Sequence, residues 1–528
     1  MLSSFPLASI AFLGTGAFAA TVTKTLTIAN AEVSPDGFKK TGTVVNGQFP
    51  GPLIKANAGD DFEITVADDL KDESLALVTS IHWHGFFQKG TNEMDGVATV
   101  TQCPITPGNE FTYKFSSANQ AGTYWYHSHY STQYCDGLRG PLVVYDPHDP
   151  HKSLYDVDDE STVITLADWY HFPSTQAPAI VNFNSTLING LGRYNDPIGS
   201  DLTQPLAVVN VVKGTRYRMR LVSILCDPNF IFSIDQHQMT VIEADGGNTQ
   251  PLVVDSIQIY AGQRYSFVLN ANQKVDNYWI RSFPNTSSFI PEKELTFDNG
   301  LNSAILRYKG AKIAEPTTPN KPSVQPLVET NLHPLVPTPP PQGPADKTLN
   351  LQIALDLDLA DNTGVFTINN ATYTPPKFPV LLQILSGNTS AQSLVPEHSI
   401  YELEPNTTVD LVIPGGSLGG PHPMHLHGHP FWVLRSAGNS SHNYENPVLR
   451  DVVSVGNHTN DDVTIRFRTD NPGPWILHCH IDWHLAEGLA VVMAEDVNEI
   501  AQANRVPPSW EALCPAYDKF VAENPNAF

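Results

Sequence analysis

The stretch LHCHIDWH, Leu477 to His484, sets a cysteine between two histidines and places a third histidine four residues after the second. A thiol in that setting is open to oxidation unless something holds it. Eleven of the 19 histidines fall into four short clusters: His82/His84, His127/His129, His422/His425/His427/His429 and His478/His480/His484. One isolated His-x-His is most simply a polar strand face. Four of them in one chain point to a shared metal site.

Strand geometry sharpens that reading. Residues i and i+2 project from the same face. His82 with His84, His127 with His129, His425 with His427, and His478 with His480 can therefore send eight imidazoles into one space. That exceeds what a single ion needs, so several metals are implied, and imidazole suits copper, zinc, iron and nickel. Cys479, between His478 and His480, must face the other way. Its natural partners are His484 and His422, the latter out of phase with His425 and His427. Two His and one Cys form the ligand set of a blue-copper electron-transfer site. On this reading one tripeptide serves both sites, with Cys479 receiving an electron and His478 and His480 delivering it.

The elements that must hold these residues are strands. TVTKTLTIAN, DFEITVADDL, TVITLADWY, PLAVVNVVKGTRYRMRLVS, RYSFVLNAN, TTVDLVIPG and DVTIRFRTD are β-branched and alternating. Helical periodicity is scarce, with short pieces only near the C-terminus. The expected class is all-β, built of sandwiches. Two seams, residues 145–161 and the Pro-rich linker 316–344, divide the chain into three blocks; the linker is expected to be extended and not a packed strand. The first and third blocks share a weak repeat, a His-x-His followed by an aromatic-rich strand with a second His-x-His. The middle block has none.

Composition sets outer bounds. A length of 528 residues suggests about three or four domains. Charged residues are 16%, with 43 Pro and 35 Gly, which favours short strands and turns. A net charge of −24 repels phosphate backbones, so no nucleic-acid partner is expected. Residues 1–19 read as a signal peptide ending in the A-x-A site Ala17-Phe18-Ala19. No later run is long enough to span a bilayer, so a secreted, extracellular protein without a membrane partner is expected. Seven N-x-[ST] sequons fit that compartment: Asn184, Asn285, Asn370, Asn388, Asn406, Asn439 and Asn457. Five cysteines leave at least one unpaired. Four could form two disulfides in any of three connectivities, and Cys479 is the natural odd one out.

The motifs HWHGFFQKGTNEMDG, GTYWYHSHYSTQYCDGLRGPLVVYDP, HPMHLHGHPFWVLR and HCHIDWHLAEGLAVVMAED closely resemble those of the multicopper oxidases, and within them the fungal laccases. The resemblance runs along essentially the whole mature chain. It implies three cupredoxin-like Greek-key β-sandwich domains, expected at 20–148, 149–318 and 319–528. It implies four copper ions. His422, Cys479 and His484 match the type 1 ligands, with Leu489 at the axial position as a non-ligand. His82 and His425 match the type 2 ligands. His84, His127 and His480 match one type 3 copper; His129, His427 and His478 match the other. His429 matches no ligand and is expected to be structural. The family's disulfides match Cys103–Cys514 and Cys135–Cys226.

The activity implied is one-electron oxidation of phenols or aromatic amines at type 1, coupled to four-electron reduction of O2 to water at a trinuclear cluster. Leu489 in place of a thioether should raise the type 1 potential. Asp227, in LCDPNF, matches the laccase acid that binds the substrate head group. Asp95, in EMDG, matches an acid that assists proton delivery, although its spacing alone reads as a turn before Gly96. Four residues at three places depart from the family's usual pattern: Ala486-Glu487 for Glu-Ala, Met424 for Phe, and Leu225 for Ser. Two other readings compete. A ferroxidase would need carboxylates around the type 1 histidine, and Glu487 and Asp227 form no clear set. A copper-storage protein would not need the complete ligand set. Lignin-derived phenols, pigment precursors and plant phenolics all fit as substrates, and a monomer is expected.

Overall fold

The computed structural model describes residues 19–178, 180–195, 203–227, 229–285, 295–358, 363–387, 394 and 399–525. Its strands form three successive pairs of sheets. The first pair joins Lys40–Val45, Thr21–Val33, Asp61–Asp69 and Glu110–Ser116 in one sheet, and Ile54–Asn57, Arg139–Tyr145, Gly122–Ser128 and Ile81–His84 in the other. A six-stranded and a five-stranded sheet follow, between Val163 and Tyr308. Two five-stranded sheets with a small hairpin lie between Lys347 and Glu495. The all-β sandwich architecture is as expected.

Alternation explains the outer sheets. In Asp61–Asp69, Phe62, Ile64 and Val66 are buried while their neighbours reach the surface. Burying each such side chain contributes about 1.5–3 kcal/mol. The histidine-bearing strands break that pattern, because both of their faces are covered. Ile81–His84, Gly122–Ser128 and Gly473–Cys479 are buried along their whole length. Trp83, Trp125 and Trp475, from these strands, are among the largest fully buried side chains.

Register brings the motifs face to face. His82 lies opposite His127 in the antiparallel pair of the first block. His425 lies opposite His478 in the third. The weak repeat seen in the sequence is therefore a repeated strand pairing. The stretch 205–223 divides into two strands, Val208–Val211 and Arg216–Ser223, at a turn with Gly214 at φ 88°, a backbone that Gly adopts without strain. The two strands then join different sheets.

The acidic seam is tied down by arginines from Arg216–Ser223: Arg220 grips Asp158 with two hydrogen bonds of 2.7 and 2.8 Å, and Arg218 pairs with Asp149 and Glu243. The Pro-rich linker joins no sheet, as expected, but it includes a 3-10 turn at Glu329–Asn331 and is not free. Leu335 N donates to Asn248 O, and Gln250 N to His333 O, at 2.9 and 2.8 Å. Proline lacks the N–H that a continuous ladder would need, so the linker docks at isolated points. Disulfides join Cys103 to Cys514 and Cys135 to Cys226, leaving Cys479 free and buried. The first anchors the C-terminal helix Leu513–Glu523 to the first block.

Among the described residues no helix is long and apolar enough to cross a membrane. Residues 1–18 of the expected leader, and the sequon Asn388, lie outside the described residues. Asn285, Asn370, Asn406 and Asn457 are exposed; Asn184 and Asn439 are half-buried.

Candidate metal centre

Eight histidines from the first and third blocks converge in the interior. His82, His84, His127, His129, His425, His427, His478 and His480 are all at most 7% exposed. Ligand nitrogens of His82, His84 and His127 lie within 4.8 Å of one another, as do those of His82, His425 and His427, and of His129, His427 and His478. The last trio is one of the sets implied by the family resemblance. In the set His84, His127 and His480, His84 Nδ1 and His480 Nε2 are 3.1 Å apart, and the His127 ring centre lies 5.2 Å from that of His480. The rings of His82 and His425 are 5.8 Å apart.

The outer nitrogens show how these rings are held. Nδ1 of His82, His127 and His425 donates to the carbonyls of Asp95, Ser128 and Asp451 at 2.8 Å, and that of His478 to the carbonyl of Cys479 at 2.9 Å. A carbonyl only accepts, so Nδ1 carries the proton and the Nε2 lone pair points inward. The Nε2 atoms of His82, His127, His129 and His425 are buried without a hydrogen-bond partner. Nε2 of His427 faces Nε2 of His478 at 3.1 Å. Since Nδ1 of His427 donates to the Asp95 carboxylate at 2.8 Å, two lone pairs confront each other. Orphaned buried acceptors are costly, and a cation between them resolves both features. Burial and neighbouring imidazoles push His84, His127, His129, His425, His427 and His480 well below the ordinary imidazole range. His478 is lowered to about 3, chiefly by burial. Neutral imidazole is the form that binds metal.

A second site lies on the other face of Gly473–Cys479. Cys479 Sγ is 3.6 Å from Nδ1 of both His422 and His484, and those two nitrogens are 3.2 Å apart. An ion at about 2.0 Å from nitrogen and about 2.3 Å from sulfur in a trigonal plane would separate its ligands by about 3.5–3.7 Å, so the triangle has the right size. Burial pushes the thiol up and lowers His422 to about 4, so a thiolate here needs a cation beside it. Leu489 is fully buried, and its carbonyl accepts from Cys479 N at 3.1 Å. The Phe366 ring lies 4.4 Å from that of His484.

Asp227 is partly exposed. Its N–H donates to Asp168 Oδ2 at 3.0 Å, and Cys226 N–H to Asp168 Oδ1 at 2.9 Å. The carbonyl of Cys226 accepts from Asp482 N at 2.9 Å, which docks this turn against the short helix carrying His484. Burial, and then the charge of Asp168, raise the Asp227 carboxyl to about 8.

Asp95 is more than a turn residue. It caps the 3-10 helix Asn92–Met94, is fully buried, and supports His82 through its carbonyl and His427 through its side chain. Gly96, after it, has φ 83°, and a Cβ there would run into the carbonyl of Ile81. His429 stands outside both groups, 2.7 Å from Glu495 Oε2. At the unusual positions, Ala486 is exposed, while Glu487 lies against Gly364 and burial raises it to about 7. Met424 is buried opposite Cys479. The Leu225 carbonyl accepts from Tyr134 OH at 2.9 Å.

Several supporting residues escaped the sequence reading. Asp451 lies with Oδ1 3.3 Å from His84 Nε2, and it accepts two hydrogen bonds from Arg264 at 2.6 and 2.7 Å. Gly262 lies against His480 and His84. Arg264 and Gly262 come from the middle block, which has no histidine pair to draw attention to it. Asp451, in VLRDVVSV, has no spacing signal either.

Three multicopper oxidase family models match residues 27–149, 160–311 and 373–499. The chain is 57% identical over 507 residues to Laccase-2 of Trametes villosa, covering 94% of this chain and 95% of that one. It is 55% identical over 525 residues to a laccase of Trametes hirsuta, covering 98% of each. Among solved structures, the laccase from Botrytis aclada superposes with TM-score 0.81 at 33% identity, covering 96% of this chain and 93% of that one. Fet3p, a multicopper oxidase that functions in iron import, does so with TM-score 0.83 at 29% identity, covering 94% and 95%. With matching models along most of its length and relatives more than half identical, the chain belongs to the multicopper oxidase family.

Proposed function

We propose that the chain is a secreted laccase that oxidises phenols and aromatic amines and reduces O2 to water. The observation that carries this is one tripeptide serving two sites: Cys479 belongs to one ligand group, and its neighbours His478 and His480 belong to the other. The mononuclear type 1 ligands are His422, Cys479 and His484. The type 2 ligands are His82 and His425. The type 3 ligands are His84, His127 and His480 on one side and His129, His427 and His478 on the other, for four coppers in all. Copper held in these groups would supply the one-electron chemistry that links a one-electron donor to the four-electron reduction of O2.

The protein's own residues do the rest. Asp227 binds the head group of the substrate and accepts the phenol proton, so that loss of an electron leaves a neutral radical. His484 forms the edge at which the substrate docks, with Phe366 beside it. Asp95 fixes the rings of His82 and His427 and stands where protons are needed by reduced oxygen. Buried Leu489 carries no side-chain donor atom, so a copper held by His422, Cys479 and His484 would gain no ligand from it, which would favour a high potential. The domains are 20–148, 149–318 and 319–528, the last opening with the linker 316–344. The leader 1–19 directs secretion, the protein is a glycosylated monomer, and its charge of −24 turns nucleic acid away.

Oxygen uptake by the copper-loaded protein, comparing a methoxyphenol with Fe(II), tests this reading. Preference for the phenol is expected. Preference for Fe(II) would overturn it in favour of a ferroxidase using carboxylates such as Glu487.

A further inference from the structure

The strand Val163–Trp169 carries Asp168, and Tyr170 follows just beyond its end. Two residues apart, they face the same side, while the ring of Trp169 between them lies against Phe49. Asp168 is fully buried. Four donors converge on its carboxylate: Arg139 Nη1 on Oδ1 at 3.1 Å, Cys226 N–H on Oδ1 at 2.9 Å, Asp227 N–H on Oδ2 at 3.0 Å, and the Tyr170 hydroxyl on Oδ2 at 2.7 Å. Balancing the Arg139 charge would need only one oxygen. The other is given over to the Asp227 turn and to Tyr170.

Tyr170 extends this grip into the third block. Its hydroxyl accepts from Trp483 Nε1 at 3.3 Å, and the two rings meet edge to face with centres 5.1 Å apart. Trp483 is buried and immediately precedes His484 in the short helix Asp482–Ala486. The hydroxyl thus donates to Asp168 while accepting from Trp483, and in a buried setting such consecutive bonds strengthen one another. A main-chain tie runs alongside, from Asp482 N–H to the Cys226 carbonyl at 2.9 Å. The turn that carries Asp227 and the helix that carries His484 come from different blocks, and these contacts join them.

We propose that Asp168 and Tyr170 are positioning residues for phenol oxidation, holding the Asp227 turn of the middle block at a fixed span from His484 in the third. This rests on the proposed role of Asp227 in accepting the phenol proton. The substrate O–H bond breaks, its proton goes to the Asp227 carboxylate, one electron leaves by the His484 edge, and a neutral phenoxyl radical remains. Proton and electron go to separate groups, so the rate depends on the span between them; a misplacement of about 1 Å can cost about 100-fold. A donor with no proton to give uses only the His484 edge and is indifferent to the Asp227 turn. Asp168 and Tyr170 are at most 1% exposed, so they act through the turn and not on the substrate.

The test is steady-state kinetics of the copper-loaded parent, Tyr170→Phe, Asp227→Asn and the double variant, with a methoxyphenol and with ferrocyanide, which gives up no proton on oxidation. Tyr170→Phe removes one oxygen and keeps the ring against Trp483, so the blue band should be retained. It should lower kcat/KM for the methoxyphenol by about tenfold and leave that for ferrocyanide within about twofold. In the Asp227→Asn background the same change should have little further effect on the phenol, because the acid it positions is already gone. An equal loss for both donors, no loss for the phenol, or losses that multiply in the double variant would overturn the inference while leaving the Asp227 reading in place. Full phenol turnover by Asp227→Asn would overturn that reading, and this inference with it.

Discussion

The carboxylate of Asp95 accepts from His427 Nδ1 at 2.8 Å, across 332 residues of sequence. Through its carbonyl the same residue accepts from His82 Nδ1 at the same distance. One side chain and its own backbone thus orient rings contributed by the first and the third blocks. Partners of this kind fix the tautomer and make the ligand nitrogen more basic.

Asp95→Asn should therefore damage the histidine cluster and spare the Cys479 site. Loss of such a partner lowers metal affinity or activity by roughly 10–100-fold. Anaerobic bleaching of the blue band by a phenol should keep its rate, while reoxidation by O2 slows. Stopped-flow measurement of the two half-reactions checks this. Equal slowing of both would place Asp95 outside the oxygen-reducing step.

Asp227 predicts a pH signature. Its carboxyl is raised to about 8 by burial and by Asp168. An acid raised in this way is neutral well below pH 8 and gains its charge as the pH climbs toward that value. Only the charged form accepts a proton from a phenol. The ratio of kcat/KM for a phenol between the parent and Asp227→Asn should therefore grow from pH 5 to pH 8, whereas for a donor with no ionisable proton it stays flat. Parallel profiles for both donors would remove Asp227 from proton acceptance.

Leu489→Met tests the axial position. Leu489 is fully buried, and its backbone is tied to Cys479, so the exchange of similar volumes should cost under about 1.5 kcal/mol. A thioether near the copper should lower the type 1 potential. Each fall of about 59 mV costs a one-electron donor tenfold in equilibrium. Redox titration of the blue band should show the drop, with the sharpest rate loss for donors of high potential. An unchanged potential would mean that the residue at 489 does not address the metal.

How much of this was legible in the sequence depends on whether a residue announces itself by spacing. His-x-His on a strand has a period-2 signature, so the convergence of His82/His84 and His478/His480 could be reasoned from strand geometry alone. The opposed facing of Cys479 follows from the same alternation. Asp451, Arg264 and Gly262 have no such signature, because what matters about them is the element across the interface. Asp95 looked like a turn residue and is one, but its turn closes against His427 from 332 residues away. The linker read as extended and not a packed strand because proline precludes a ladder, and isolated hydrogen bonds dock it. Contacts between blocks were not readable from composition.

Gly262 offers the sharpest test of what the middle block contributes. It has φ 82°, and a Cβ there would lie 2.7 Å from His480 Cδ2 and 3.0 Å from His84 Cε1. Gly262→Ala meets two costs at once. The left-handed backbone disfavours alanine by roughly 1–2 kcal/mol, and the methyl strikes two rings whose positions are set by their ligand role. The rings are held on rigid strands, and Arg264, two residues on, is anchored to Asp451, so neither side yields easily. The expected outcome is loss of copper from the histidine cluster with the Cys479 absorption band retained, together with loss of oxygen uptake. Metal analysis alongside the visible spectrum distinguishes this from misfolding, which would abolish both. A variant with full copper content and normal turnover would show that the middle block does not shape the cluster through this contact.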